Sequence, residues 1–323
     1  MEYTYLGRSG LQISRLALGT MNLGDYTSKT ESIAIMDNAF GSGINFIDTA
    51  NRYGNPKGDG ITETIIGDWL SENPGKREKI VLATKLHNPM GDGPNDRGLS
   101  AYHIKKACED SLRRLQTDHI DLYQMHHVDR NTPWEEIWQA MEQLVREGKV
   151  LYVGSSNFGA WHIVKAQERA MARNFMGLVS EQSLYNLTTR TIELELLPAC
   201  QEYGIGVLPW SPRGGGVLAG VLKKLDEGRR TEDWINEYVE NHRSQLQAYE
   251  DLCDELGEHP ADVSIAWLLH QSGVTAPIIG PRTVEQLAAS VKALEIHLDD
   301  EVLTRLDSIF PGPGGEAPEA YAW

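Results

Sequence analysis

Four short segments of the chain follow apolar runs and carry polar side chains, and the side chains of the first three could together donate a proton to a carbonyl oxygen. They contain Asp48 and Tyr53, then Lys85, then His126, then Ser156. A free phenol has a pKa of about 10, and a buried Lys beside it favours the phenolate and lowers that value. We therefore predict that Asp48 holds Lys85, that Lys85 activates Tyr53, and that His126 completes a proton-donating set.

Each of these residues also has a structural interpretation. Asp48 could cap a loop and Tyr53 could be a packing aromatic, but a Lys that ends a buried strand needs a partner, and Asp48 is the natural one.

His126 is followed by His127. Because adjacent strand residues point to opposite faces, we expect only one of the two imidazoles to face the site. The same geometry argues against a metal site, and none is predicted; His127 is predicted to be structural.

The polar residues must be positioned by an alternating pattern of strands and helices. A β-hairpin is predicted first, with strands at 3–6 and 12–14 around a turn at 8–10. Eight strands are predicted at 16–18, 45–48, 80–85, 122–126, 151–155, 177–181, 206–210 and 276–279. Helices are predicted between them, including 31–40, 101–115, 133–147, 160–172 and 191–203, with Gly148 and Gly204 ending two of them.

This alternation predicts an α/β chain folded as a (β/α)₈ TIM barrel, one domain spanning 1–323. The rival, a doubly wound sheet, lacks its GxGxxG fingerprint after the first strand. A long charged segment, 222–255, is expected to be a helical excursion between the seventh and eighth strands. A C-terminal aromatic tail, ending in Tyr321 and Trp323, follows the last helix.

Composition limits the partners and the compartment. With 323 residues, 41% hydrophobic content and a net charge of −16, the chain resembles an ordinary globular enzyme rather than a nucleic-acid or membrane-surface protein. The three cysteines show no paired spacing, and the N-terminus shows no secretory signal. We expect a cytoplasmic protein with no nucleic-acid or membrane partner.

Over nearly its whole length the sequence resembles the aldo-keto reductase superfamily, in a bacterial branch similar to keto-sugar reductases and potassium-channel β subunits. The resemblance rests on the order and context of Asp48, Tyr53, Lys85 and His126, which match the family's catalytic tetrad. It implies a barrel that binds NADPH (NADP⁺) and reduces an aldehyde or ketone. Tyr53 would be the general acid, and His126 would orient the carbonyl.

The resemblance also implies a cofactor site. Ser156, Asn157 and Gln182 would bind the nicotinamide carboxamide, Trp210 would stack under the ring, and Arg282 would bind the adenosine 2′-phosphate. Glycines after Pro212 would let backbone N–H groups approach the pyrophosphate. The complete predicted cofactor set is Gly19, Thr20, Met21, Asp48, Ser156, Asn157, Gln182, Trp210, Ser211, Pro212, Arg213, Gly214, Gly216, Gly280, Arg282 and Gln286.

Some positions depart from the family pattern. Arg213 replaces a common apolar residue, so it either contacts the pyrophosphate or faces water. Ala289 and Ser290 replace residues that bind the adenine amine, so NADPH preference rests mainly on Arg282. Substrate contacts are expected from Tyr26, from 87–98, from Trp134 and from the tail, which could instead pack on its own barrel or on a second subunit of a homo-oligomer.

Two other functions remain open from the sequence. Potassium-channel β subunits retain the tetrad and act mainly as binding partners, so a redox-sensing or regulatory subunit is the main alternative. A Schiff-base aldolase that uses Lys85 is a third possibility, and the predicted nicotinamide-binding residues argue against it.

Overall fold

The structure, a computed structural model, describes residues 1–223 and 233–320. Its strands, in chain order, are β1 Tyr3–Tyr5, β2 Gln12–Ser14, β3 Ala17–Gly19, β4 Phe46–Asp48, β5 Val81–Leu86, β6 Ile120–Met125, β7 Val150–Ser156, β8 Leu178–Leu184, β9 Gly206–Trp210 and β10 Ile278–Ile279. Its α-helices are α1 Lys29–Gly41, α2 Ile61–Ser71, α3 Ala101–Leu115, α4 Trp134–Arg146, α5 Ala160–Met171, α6 Leu196–Glu202, α7 Asp233–Leu256, α8 Pro260–His270, α9 Val284–Lys292 and α10 Asp300–Ile309.

Eight of these strands form one parallel sheet in the order β10-β3-β4-β5-β6-β7-β8-β9. A parallel bridge between Val207 of β9 and Val274, just before β10, brings the two edge strands together. The nearly closed sheet with helices between its strands confirms the predicted (β/α)₈ barrel. Closure also leaves almost no exposed strand edge.

The predicted N-terminal hairpin is confirmed, and it covers the N-terminal end of the barrel. Strands β1 and β2 pair antiparallel, with Tyr3 opposite Ser14. Leu6 and Ile13 are fully buried and belong to the same apolar cluster as the barrel-interior residues Phe46 and Leu122. Gly7 permits this close approach, since a Cβ there would lie 2.4 Å from the carbonyl oxygen of Val179.

The barrel interior changes from apolar to polar along each strand. In β5, Val81 and Ala83 contribute to the interior apolar cluster, and Lys85 follows two residues later on the same face. The same spacing places Asp48 above Phe46 in β4. Period-two alternation therefore delivers the predicted charged residues to one layer near the C-terminal end of the barrel.

Local signals explain most helix boundaries. Ser28 and Glu31 form a capping box at α1, and Ser100 caps α3. The predicted stops are confirmed: Gly148 and Gly204 follow α4 and α6 with φ values of 70° and 63°. Helix α2 was not among the helices named from the sequence.

Prolines shorten two predicted elements. The predicted helix 191–203 is a 3₁₀ turn at Thr191–Glu193 followed by α6, because the ring of Pro198 would clash with a helical carbonyl at 194. The predicted strand 276–279 is only Ile278–Ile279, since Pro277 has no N–H to donate to the ladder.

The excursion predicted between the last two barrel strands contains α7, and α8 follows it before β10. The predicted aromatic tail at 321–323 lies outside the described residues, as do 224–232. Within the described ranges, every helix is too short or too polar to cross a membrane.

Candidate active site

A cavity of about 870 Å³ opens at the C-terminal ends of the barrel strands. This volume lies in the usual range of about 300–1,000 Å³ for ligand pockets. Asp48, Tyr53 and His126 line its inner part, and Lys85 lies behind them with 0% of its surface exposed. The four residues predicted as a proton-donating set are thus brought together.

The ion pair between Asp48 and Lys85 occupies the centre of this set. Lys85 Nζ lies 2.6 Å from Asp48 Oδ2, donates to the Thr49 carbonyl oxygen at 2.9 Å, and donates to the Tyr53 hydroxyl at 3.3 Å. These are three acceptors for the three protons of an ammonium group. Burial lowers the pKa of Lys85, but the attraction of Asp48 and Tyr53 outweighs it, so the net pKa is raised and the group stays charged.

Two glutamine amides complete the environment of Asp48. Gln124 Nε2 and Gln182 Nε2 donate to Asp48 Oδ1 at 2.9 and 2.8 Å. The carboxylate therefore has partners on both oxygens although it is only 2% exposed. The sequence analysis did not identify Gln124, whose signal is its position two residues before His126 in an apolar strand.

Burial raises the pKa of the Tyr53 phenol, while the nearby Lys85 ammonium lowers it. The burial effect is the larger, so the net pKa of Tyr53 lies above its ordinary value. The sequence-based expectation was right about the direction of the effect of Lys85 and wrong about the net direction in this structure. Tyr53 is accordingly a neutral phenol that can donate its proton.

His126 faces Tyr53, with the ring centroids 6.0 Å apart and nearly perpendicular planes. Burial, followed by repulsion from Lys85, lowers the pKa of His126 to about 2, so the ring is neutral. Asn88 Nδ2 lies 3.0 Å from His126 Nδ1. If Asn88 donates to Nδ1, the neutral ring carries its proton on Nε2, where it can donate to a carbonyl oxygen.

The expectation for the two adjacent histidines is wrong. His126 and His127 both line the cavity, and their rings stack with centroids 5.1 Å apart and planes 6° apart. The reason is that β6 ends at Met125, so the strand alternation no longer applies to the residues that follow. Within the described ranges, no group of three or more His, Cys, Asp or Glu side chains is arranged to hold a metal ion.

The predicted cofactor residues lie around the rest of the cavity. All of them line it except Gly214; the neighbouring Gly215 lines it instead. Gly214 faces inward, since a Cβ there would lie 2.9 Å from a Val217 methyl group. The cavity also includes residues that the sequence analysis did not assign to the site: Asn22, His127, Ala219, His259, Ala261, Asp262, Ile278, Ile279, Glu285 and Ala289.

The residues predicted to bind the nicotinamide carboxamide form one hydrogen-bonded group. Ser156 Oγ donates to the Gln182 carbonyl oxygen at 2.9 Å, and Asn157 Nδ2 donates to Ser156 Oγ at 3.0 Å. Trp210 Nε1 donates to Asn157 Oδ1 at 3.1 Å. Because Gln182 directs its amide nitrogen at Asp48, its amide oxygen is the atom suited to accept from a carboxamide.

Three non-glycine residues with positive φ follow the ends of strands at this site. They are His87 at 115°, Asn157 at 58° and Ser211 at 57°. Backbone strain of this kind costs about 1–3 kcal/mol per residue and clusters at ligand sites. Each of the three directly follows a barrel strand, and two of them, Asn157 and Ser211, line the cavity.

The Gly-rich turn after Pro212 fits a pyrophosphate. Gly215 and Gly216 have φ values of 69° and 119°, and a Cβ at Gly216 would meet no atom within 4 Å, so the backbone there is open to a ligand. Arg213 does not simply face water, as one sequence interpretation had it: its Nη2 donates to Ser290 Oγ at 2.5 Å. Its Nε is buried at the cavity wall and has no hydrogen-bond partner in the part of the chain that the structure describes.

Arg282 lies at the outer end of the same cavity, just before α9. Its guanidinium carbon lies 4.4 Å from the ring centroid of Tyr26, which places Tyr26 beside Arg282 rather than at the substrate end where we expected it. Gln286 Oε1 accepts from the Arg282 backbone N–H at 2.9 Å. Ser290 Oγ already donates to the Gln286 carbonyl oxygen and accepts from Arg213, so it has little capacity left for an adenine amine.

Comparison with known proteins shows the family. The Aldo/keto reductase family model matches residues 15–310. The chain is 58% identical, over 100% of both chains, to the uncharacterized oxidoreductase YrpG of Bacillus subtilis (strain 168). It is 34% identical to norsolorinic acid reductase stcV of Emericella nidulans, over 94% of this chain and 80% of the relative. It is 33% identical, over 96% of each chain, to a probable voltage-gated potassium channel subunit beta of Oryza sativa subsp. japonica.

The chain therefore belongs to the aldo/keto reductase family, and it is an NAD(P)-dependent enzyme. The resemblance stated from the sequence is confirmed.

One buried carboxyl group beside this site was not identified from the sequence. Glu181 is fully buried and accepts from Ser183 Oγ at 2.8 Å and from the Phe158 N–H at 3.0 Å, with Ser155 Oγ as a third donor. It thereby fixes the segment that carries Ser156 and Asn157. Burial raises the pKa of Glu181 to about 7, although these hydrogen bonds oppose the shift.

This raised pKa predicts a pH dependence of stability. The folded protein holds the Glu181 proton more tightly than the unfolded chain, so its contribution is complete below the ordinary pKa of 4.5 and is lost as the pH rises through about 7. At 1.36 kcal/mol per pKa unit the loss is about 3 kcal/mol. Glu181→Gln should remove this component, as measured by denaturant unfolding of both proteins between pH 4.5 and 8. Parallel pH profiles for the two proteins would contradict the assignment.

Proposed function

We propose that this protein is an NADPH-dependent reductase that converts an aldehyde or ketone to an alcohol, with Tyr53 as the proton donor. The observation that carries the proposal is the position of the Tyr53 hydroxyl, 3.3 Å from a buried ammonium group and at the wall of a large cavity. A neutral phenol there can protonate an oxygen that becomes negatively charged. Geometry and charge both suit general acid catalysis.

The roles of the four residues follow from their contacts. Tyr53 donates its proton to the carbonyl oxygen, and Lys85 stabilises the phenolate that remains. Asp48 keeps Lys85 charged and in place, and His126 donates a hydrogen bond to the same oxygen and orients the substrate. A Lys whose pKa is raised by an ion pair is a poor Schiff-base nucleophile, which argues against the aldolase alternative.

The residues of the outer cavity would hold the dinucleotide. The bound nicotinamide supplies the hydride for the carbonyl carbon. Gln182, Ser156 and Asn157 would bind its carboxamide, and Trp210 would fix which face of the ring meets the substrate. Gly215 and Gly216 suit the pyrophosphate, with the unpartnered Nε of Arg213 as a further donor.

We propose NADPH rather than NADH as the preferred cofactor because Arg282 is a cation placed just before the N-terminus of α9. A guanidinium group and a helix N-terminus both favour a phosphate group. The adenine contacts expected from the family are weak here, as Ala289 offers no polar side chain and Ser290 is engaged elsewhere. The preference would therefore rest on the 2′-phosphate.

The substrate we favour is a keto-sugar, since the segments 119–136 and 310–323 resemble those of keto-sugar reductases. We further propose a cytoplasmic, single-domain protein that can form homo-oligomers. Some relatives carry names that refer to reduction, such as the norsolorinic acid reductase, and this agrees with the reductive direction.

A second candidate is a redox-sensing subunit that binds the cofactor and turns over very slowly. The 33% identity to a probable voltage-gated potassium channel subunit beta keeps this candidate open. Tight cofactor binding with negligible turnover on every carbonyl compound would favour it over catalysis.

Tyr53→Phe should reduce turnover by about 10²–10⁴-fold, because the variant lacks the proton that the carbonyl oxygen needs. The measurement is NADPH oxidation, followed by absorbance, with a panel of aldehydes and keto-sugars. Cofactor affinity should be retained, since the phenol is not expected to contact the outer cavity. The matched control is Tyr102→Phe, whose ring is 64% exposed, and it should behave as the parent protein. Near-normal turnover of Tyr53→Phe would exclude Tyr53 as the acid.

Arg282→Ala should weaken NADPH binding by about tenfold or more while leaving NADH binding nearly unchanged, since a hydrogen bond to a charged group contributes about 1.5–3 kcal/mol. Dissociation constants from fluorescence titration of both cofactors provide the measurement. Arg282→Lys keeps the charge but loses the planar fork, so its affinity for NADPH should lie between those of the parent protein and Arg282→Ala. Equal losses for NADPH and NADH would refute the assignment of Arg282 to the 2′-phosphate.

A further inference from the structure

A second cavity, here called the rim pocket, lies beside the N-termini of α4 and α5. Its volume is about 400 Å³. Residues 128–135 form one wall, and Trp161, His162, Lys165 and Arg169 of α5 form the other. His127 directly precedes residues 128–135 and lines the main cavity, so the loop after β6 contributes to both spaces.

Cationic side chains predominate in the rim pocket, although the chain carries a net charge of −16. Arg130, Lys165 and Arg169 contribute three cations, against the carboxylates of Asp129 and Glu135. Asp129 is occupied by two backbone N–H groups and a threonine hydroxyl. Glu135 lies 3.6 Å from Arg169, but both are largely exposed, so the pair is weak. Within residues 1–223 and 233–320, neither Arg130 nor Lys165 forms an ion pair.

A buried histidine in the rim pocket has no hydrogen-bond partner among the described residues. His162 is only 5% exposed, and neither of its ring nitrogens has a hydrogen-bond partner among the described residues. Trp161 packs against the ring with the centroids 3.6 Å apart. Burial, and then the charges of Arg130 and Lys165, lower the pKa of His162, so the ring is neutral and has one N–H to donate. A buried donor without an acceptor is destabilising, and a bound acceptor would relieve that cost.

The helix ends add donors of the same kind. Helices α4 and α5 are 13 and 12 residues long, and neither N-cap residue, Pro133 or Gly159, provides a side-chain cap. Their first backbone N–H groups therefore have no side-chain acceptor at the edge of the rim pocket. Helix N-termini carry partial positive charge and favour anions.

We infer that the rim pocket is an oxyanion-binding site that takes a phosphate group. Arg130, Lys165 and Arg169 would neutralise its charge, and the His162 ring, whose nitrogens are covered in this structure, would turn to donate its N–H to one of the phosphate oxygens. This site lies outside the residues assigned to the reductase reaction. Two sources share this chemistry: free inorganic phosphate, or the phosphate of a phosphorylated aldehyde whose carbonyl group reaches the main cavity.

The direct test is the NMR titration of the His162 ring in the intact protein. Inorganic phosphate is added at constant ionic strength, with chloride as the reference, and His162→Gln identifies the resonance. We expect a saturable shift with phosphate and an increase in the pKa of His162, because a nearby anion favours the imidazolium form. Isothermal titration calorimetry of the parent protein with inorganic phosphate measures the same binding without a His162 variant.

The variant Arg130→Gln/Lys165→Gln should weaken phosphate binding at least tenfold. The matched control is Arg113→Gln/Arg146→Gln, which removes two cations whose side chains are 72% and 80% exposed outside the rim pocket. It should bind phosphate as the parent protein does. A shift that never saturates, or equal binding by the two double variants, would overturn the proposal.

Kinetics distinguish the two sources. If a substrate phosphate occupies the site, Arg130→Gln/Lys165→Gln should increase KM for a phosphorylated aldehyde and leave KM for its unphosphorylated analogue unchanged. If free phosphate is the ligand, the double variant should change the KM values for the two aldehydes by the same factor. It should still lose the phosphate binding that NMR detects. Because NMR and calorimetry do not depend on turnover, an inactive protein would refute the proposed reductase without affecting this test.

Discussion

The buried ion pair between Asp48 and Lys85 is the interaction on which the rest of the site depends. Lys85 is fully buried, and a lone ammonium group in that position would be strongly destabilising. Asp48, the Thr49 carbonyl and the Tyr53 hydroxyl accept its three protons, and two glutamine amides satisfy the remaining oxygen of Asp48. Tyr53 therefore has a fixed hydrogen-bond donor beside its hydroxyl before any substrate arrives. Such preorganisation avoids reorganisation during the reaction.

The barrel makes this pair possible by separating its interior into layers. Phe46, Ala83 and Leu122 pack with the N-terminal hairpin and close the lower end of the barrel. Two residues further along each strand, the same faces carry Asp48, Lys85 and Gln124. The apolar layer excludes water from the lower side of the Asp48–Lys85 pair. The hydrogen bonds between β4 and β5 fix the distance between these two residues. The residues with positive φ after β5, β7 and β9 mark the points where these strands give way to loops.

Most of the fold and the grouping of Asp48, Tyr53, Lys85 and His126 in one place could be predicted from the sequence, since both follow from period-two strands and from polar residues at their ends. The predictions failed for residues that lie just beyond the end of a strand. Strand alternation predicted that His126 and His127 diverge, but β6 ends at Met125 and the two rings stack. The net pKa shift of Tyr53 depends on burial, which requires the packed structure.

Contacts between distant segments were also beyond sequence reasoning. Glu181 is paired with groups on the preceding strand and loop, and Arg213 reaches Ser290 from 77 residues away. The rim pocket joins the loop after β6 to one side of α5, and neither segment contains a recognisable ligand motif. Gly214 was predicted at the cofactor site, but the turn directs Gly214 inward, and Gly215 lines the cavity.

A double-mutant cycle on the free energy of unfolding measures how strongly Asp48 and Lys85 depend on each other. The proteins are Asp48→Asn, Lys85→Met, the variant with both changes and the parent, unfolded in denaturant at neutral pH. We expect each single change to cost about 3–5 kcal/mol, because it leaves a buried charge unpaired. The double variant should cost less than the sum by at least about 2 kcal/mol. Additivity within about 0.5 kcal/mol would show that the two residues do not depend on each other.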